Sequence, residues 1–250
     1  MAPDFSEPHH LPNRRLPEQA HADPYDLPRQ RRGITPQMHG RYPDYDVLEQ
    51  QNHWDEVTRK VVLDRVHHVP ELRFFDPAEA ETLTVFADLY LAQDSEPRIP
   101  VMAYVDEKLF EGNLDGYQYF DLPDDRETWR RVALGLDQEA QRRGAERFPL
   151  LTMEDQLEVM HEFDSGDLHG GAWDTLNVSR AWSVVTRHLL QQFYSHPWAW
   201  NEIGFGGPAY PRGYSRFGSP HLQSAEREEW EGKEAYVRDP VEDTQRRGLE

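Results

Sequence analysis

Asp76-Pro77-Ala78-Glu79-Ala80-Glu81-Thr82-Leu83-Thr84-Val85-Phe86-Ala87-Asp88-Leu89-Tyr90 is the stretch that decides the fold. It opens with an acid able to accept hydrogen bonds from the free amides of a first helical turn. Next comes a proline whose missing N–H costs nothing there, and Glu79 stands three residues after the cap. Leu83, Phe86, Ala87 and Tyr90 then recur at spacings of three and four, one face of a helix. The pattern predicts a helix over 77–92.

The same signals repeat along the chain. Asn52 is a candidate cap for a helix over 53–68, with Trp54, Val57, Val61 and Val62 as its stripe. A helix over 100–111 turns Val101, Tyr104, Val105 and Leu109 inward and stops at Gly112. Residues 112–123 form a Gly/Asp/Tyr-rich connection. Trp129, Val132, Ala133 and Leu136 mark a helix over 125–143 closed by Gly144, and Thr152 caps one over 153–164 with Leu157, Met160 and Phe163. The most apolar helix, over 178–194, carries Ala181, Trp182, Val184, Val185, Leu189 and Phe193. Strand-like alternation never persists, although two short strands could fit within 112–123 or after 200. The expected class is all-α: an irregular bundle of about six helices with extended arms.

Those arms are compositional. Residues 1–45 hold 8 of the 19 prolines, with six acidic and six basic side chains. Such proline density disfavours regular helix and suits extended backbone. Residues 219–250 are charged and poor in apolar side chains. The expected organisation is therefore a proline-rich arm at 1–45, a helical domain at 46–218 and a charged tail at 219–250.

Composition narrows the partners. The formal net charge of -19 repels phosphate, which excludes nucleic acid and anionic lipid as main partners. No stretch approaches the ~20 apolar residues needed to cross a bilayer, so no membrane insertion is expected. Zero cysteines remove disulfides, thiolate zinc sites, iron–sulfur clusters and C-x-x-C-H haem attachment. The pairs Arg14-Arg15 and Arg31-Arg32 invite a twin-arginine export reading, but no apolar segment follows either, so a cytoplasmic location is expected.

No catalytic, cofactor-binding or metal site can be assigned in this chain. Of twelve histidines, His9-His10 and His67-His68 are adjacent pairs whose side chains diverge; His161, His169 and His188 have no partner at ligand spacing. Scattered surface or cap histidines are the expectation. Ser165-Gly166 and Ser195-His196 lie in no nucleophile elbow. Gly204-Phe205-Gly206-Gly207-Pro208 lacks the strand–turn–helix setting and third glycine of a dinucleotide cradle. Asp121, Asp124, Asp125, Asp164 and Asp167 are abundant acids without a spacing that defines a cleft.

The loop 195–218 differs from the rest. Its glycines and prolines argue against regular structure, yet it is dense in aromatic rings. A solvated loop this apolar is unusual. It is expected either to fold back as a lid on the bundle or to form a partner contact, with Trp198, Trp200, Tyr210, Arg212 and Tyr214 as anchors.

The run Phe193-Tyr194-Ser195-His196-Pro197-Trp198-Ala199-Trp200-Asn201-Glu202-Ile203-Gly204-Phe205-Gly206-Gly207-Pro208-Ala209-Tyr210-Pro211-Arg212-Gly213-Tyr214 resembles the C-terminal hallmark of the gluconate 2-dehydrogenase subunit 3 family. Arg73-Phe74-Phe75-Asp76-Pro77 resembles that family's opening, and Ile99-Pro100-Val101 and Gly116-Tyr117 also fit it. The similarity spans about 72–217. It implies a small accessory subunit beside a large FAD-containing subunit of the glucose–methanol–choline type. The large subunit would hold flavin and sugar, and in such complexes a separate cytochrome often takes the electrons. The small subunit of such a complex supports assembly and frequently export. Without an apolar leader segment the expectation stays cytoplasmic, the alternative being a periplasmic or cell-envelope location reached through a partner. Two other readings stay open: a stand-alone sugar-binding protein or enzyme, and a transient assembly chaperone.

Overall fold

The computed structural model describes residues 46–208 except Leu114 and Gly204, with only the backbone of His53. The arms expected at 1–45 and 219–250 lie outside the described residues. Helices dominate and no strand occurs among the described residues, so the protein is all-α. Among the described residues seven α-helices follow one another: α1 Glu56–His67, α2 Pro77–Tyr90, α3 Val101–Glu111, α4 Asp125–Arg142, α5 Met153–Ser165, α6 Val178–Tyr194 and α7 Pro197–Ile203. Short 3-10 turns occupy Val47–His53, Phe148–Leu150 and Gly171–Thr175.

The described residues divide into two compact units, one from His67 to Ser195 and one joining residues 46–66 with residues 196–208. In the larger unit, α2 packs on α3, α4 and α5, and α6 packs on α3, α4 and α5. The helix start at Asp76 forms as its residues dictate. Its carboxylate accepts from the Ala78 and Glu79 amides at 2.8 Å each, and Glu79 reaches back to the Asp76 amide. The core is built from rings: Phe86 meets Phe148, Phe163 and Trp182, and Phe163 also meets Trp173 at 5.0 Å between centroids. Gly135 on α4 makes room for this packing, because a Cβ there would stand 2.6 Å from the Trp173 ring.

Buried carboxylates tie the helices together. Asp106 of α3, fully buried, accepts from the amides of Arg73, Phe74 and Phe75 at 2.7–3.1 Å and so draws Phe75 into the core against Trp129. Glu139 of α4 accepts from Arg142, Arg143 and the Trp173 indole, while Arg143 continues to Glu162 of α5. Both of these buried acids are thus paired or multiply hydrogen-bonded, as burial of charge requires.

In the smaller unit, Val47, Trp54, Val62 and Trp200 form one buried cluster. Asn201 of α7 receives the Val47 amide on Oδ1 at 2.8 Å and donates through Nδ2 to Asp46. Gly207, in left-handed backbone at φ 77°, lies against Val47, Trp54 and Trp200.

Four sequence expectations need correction. Asn52 caps nothing: it sits inside the Val47–His53 turn, and Asp55 instead receives the Thr58 amide at the start of α1. Val57 and Val61 are exposed while Val62 is buried, because α1 offers only a narrow inward face turned away from that pair. On α5 the inward stripe is Gln156, Val159 and Phe163, one residue round from the expected Leu157, which is exposed. Finally, residues 197–203 of the aromatic loop are helical. Pro197 fits a first turn, and the first helix-breaking glycine comes only at Gly204.

Candidate functional site

Two arrangements stand out above the ordinary core, one in each unit. The first is the aromatic block at α7. Trp200 is 9% exposed inside the Val47–Trp54–Val62 cluster and meets Phe205 edge-on at 5.5 Å. Trp198 is only half-buried, packed edge-on against His196 at 4.7 Å. Among the described residues nothing accepts a hydrogen bond from the Trp198 indole N–H, although that nitrogen is out of solvent. Trp198 and Trp200 therefore lie on one short helix in different settings. Tyr210, Arg212 and Tyr214, the other expected anchors, lie outside the described residues.

His196 positions this block. Its Nδ1 accepts from the Trp198 amide at 3.2 Å, and its ring also engages the Arg65 carbonyl near the end of α1. One imidazole thereby serves both a helix start and a helix end. Burial pushes its pKa down from 6.5 to about 4, so it is neutral at pH 7.

The second arrangement surrounds His188 of α6. This histidine is fully buried, against the expectation of a surface or cap residue; among the named histidines only His196 fits the capping half of that reading. Trp129 donates to its Nδ1 at 3.1 Å, which leaves the neutral ring's proton on Nε2. Nε2 points at Asp115 Oδ2, 3.4 Å away, and Asp125 Oδ2, 3.7 Å away. Burial above all, and then the Lys108 charge, lowers the His188 pKa to about 4. Burial tends to raise Asp115, but the Lys108 hydrogen bond and the charges around it bring it below its usual range. Asp125 is raised by burial and by the neighbouring Asp115. A nitrogen that carries its proton offers no lone pair to a cation, and Lys108 and Arg187 already engage Asp115 at 2.5 and 3.1 Å. The cluster is a helix junction held by charge, joining α3, α4 and α6.

Position alone could have signalled this histidine. His188 falls on the inward stripe of α6, between Val185 and Leu189, where a polar residue must find partners.

The remaining candidates are dispersed. Asp121 pairs with Arg180 and accepts from Asn177; Asp124 caps α4 by accepting from the Glu127 amide. Asp164 and Asp167 are exposed. Ser195 donates to the Gln192 carbonyl at 2.7 Å, and Gly166 ends α5 in left-handed backbone with a Cβ position that Ser179 would block. Among the described residues, no group of three or more His, Asp or Glu is placed to hold a metal ion. No described helix is long and apolar enough to cross a membrane.

Neither the curated proteins nor the solved structures provide a match to this chain. The family described as gluconate 2-dehydrogenase subunit 3 matches over residues 77–207, from the first residue of α2 to the glycine packed beside Trp54 and Trp200. That match takes in the helical core, the His188 junction and the α7 block, and spans more than half of the sequence. The chain belongs to the gluconate 2-dehydrogenase subunit 3 family.

Proposed function

We propose that this chain is the non-catalytic small subunit of an FAD-dependent sugar or alcohol dehydrogenase, supporting assembly and stability of a large glucose–methanol–choline-type flavoprotein. The observation that carries the reading is the family match over residues 77–207, since the family is defined as a subunit of a dehydrogenase. How the chain uses its ionisable groups supports it: Asp106, Glu139 and His188 are buried and join elements of the fold to one another. Flavin and sugar belong to the partner in this account, and a cytochrome is a natural third member.

Trp198 is the described residue best suited to the partner contact. Its ring is half-exposed, and the ring surface left in solvent is apolar area that a partner can cover. Trp200 supports the contact from behind, packed in its own unit; Tyr210, Arg212 and Tyr214 extend the same aromatic segment. The test is retention of the flavoprotein by the tagged full chain in its native source. Trp198→Ala is expected to weaken retention with little change in melting temperature, and unchanged retention would remove Trp198 from the contact.

A further inference from the structure

α7 begins on a histidine cap. The His196 carbonyl accepts from the Ala199 and Trp200 amides at 3.0 and 3.3 Å, and its Nδ1 accepts from the Trp198 amide at 3.2 Å. Backbone and ring together fill the place that Ser, Thr or Asn commonly takes at a helix start. Those residues accept a hydrogen bond at any pH. A histidine does so only while Nδ1 keeps its lone pair. With Nδ1 accepting, the neutral ring's proton sits on Nε2, toward the Arg65 carbonyl. A second proton would stand on Nδ1 against the Trp198 N–H, donor facing donor. The ring is fully buried, so taking up that proton requires His196 to leave its place. Of the charges on the surrounding elements, Arg65 of α1 opposes a proton on the ring. Glu202 stands at the far end of α7, and Asp46 and Glu49 begin the Val47–His53 turn that Asn201 holds.

We infer that His196 is a proton-operated cap: neutral, it holds Trp198 in place for the partner contact, and protonated, it lets the start of α7 go. The consequence for the partner rests on the subunit reading above; the cap itself does not. Trp198 loses two restraints together when the cap opens, its amide bond to Nδ1 and the edge-on imidazole packed on its ring at 4.7 Å. The ring titrates near 6.5 when free and at about 4 when held, so opening becomes easier as soon as pH falls below 6.5. From pH 7 to pH 5.5 this linkage favours the open cap by about eightfold. A mild fall in pH therefore loosens Trp198 well before the folded histidine itself is half protonated.

Hydrogen exchange of the isolated full chain reads the cap directly, because the Trp198 amide is the one that the ring holds. Its protection factor, which sets aside the intrinsic pH dependence of exchange, is measured at pH 7 and pH 5.5 in wild type, His196→Asn and His196→Ala. Asparagine keeps an acceptor on Cγ, as Nδ1 is, and does not titrate. Between the two pH values wild type is expected to lose about eightfold more protection than His196→Asn. His196→Ala is expected to lose at least about threefold at pH 7 already. Equal losses in wild type and His196→Asn, full protection in His196→Ala, or equal protection of Trp198 and Leu83 of α2 in wild type at pH 7 would overturn the inference. In the native source, tagged wild type washed at pH 5.5 is expected to release the large subunit several-fold faster than tagged His196→Asn. If exchange behaves as expected and both chains release it alike, the cap stands and Trp198 leaves the partner contact.

Discussion

The Trp129 and His188 rings stack at 15°, and the indole donates to Nδ1 over 3.1 Å. This one hydrogen bond fixes the tautomer of a fully buried histidine and turns its proton toward two carboxylates. The folded protein therefore holds His188 neutral, with a pKa near 4 in place of the ordinary 6.5, and does the same for His196. A depressed folded pKa means that the unfolded chain takes up the proton first as pH falls. The contribution is whole above about pH 6.5 and is lost progressively between there and about pH 4. Asp88 and Asp125, raised by burial, act in the opposite direction, so the histidine part is read as a difference between proteins. His188→Phe is expected to cost about 1–3 kcal/mol at pH 7 by orphaning the Trp129 N–H. Its melting temperature should also fall less steeply than wild type between pH 6.5 and 4. Parallel pH profiles would show that His188 is not held neutral.

Gly135→Ala separates packing from helix propensity. Alanine in the middle of an exposed helix would stabilise by about 1 kcal/mol relative to glycine. Here the new methyl would stand 2.6 Å from the Trp173 ring, so a net loss of about 1–3 kcal/mol is expected in denaturant unfolding. A gain in stability would mean that Trp173 yields easily.

Asp106→Ala removes the acceptor of three backbone amides, two of them only part-buried. A loss of about 2–4 kcal/mol is expected, with Asp106→Asn recovering part of it because an amide oxygen can still accept. Hydrogen exchange at the Phe74 and Phe75 amides should rise in Asp106→Ala, and unchanged protection there would refute the anchor.

Much of the fold was legible because local chemistry and tertiary packing agree. The Asp76–Glu79 start, the Gly112 stop and the α6 stripe each depend on residues within a turn or two of one another. What sequence alone missed depends on distant partners. Val57 and Val61 look as apolar as Val62, and only the position of Val47 and Trp200 decides which valine is covered. His188 needed Trp129, Asp115 and Asp125, separated from it by 59 to 73 residues of chain, to become a junction. The α7 helix was hidden by reading its glycines and prolines as one group, although Pro197 opens the helix and the glycines follow it. At the candidate site, tryptophan identity was legible, but the different settings of Trp198 and Trp200 were not.

Those settings predict divergent effects. Trp200→Ala empties a buried cluster and is expected to cost about 3 kcal/mol or more in stability of the isolated chain. Trp198→Ala removes a half-exposed ring and should act mainly on partner retention. Equal losses of melting temperature in both variants, with retention per folded molecule intact, would make the whole block a self-packed lid.

The most direct test of the central claim is purification of the tagged full chain from its native source, with the absorbance spectrum recorded before and after the assembly is dissociated. The account predicts co-purification at fixed stoichiometry with a larger subunit, a flavin spectrum in the assembly, and flavin that stays with the larger subunit while this chain emerges colourless. A chain that purifies alone, or one that retains flavin by itself, would contradict the account.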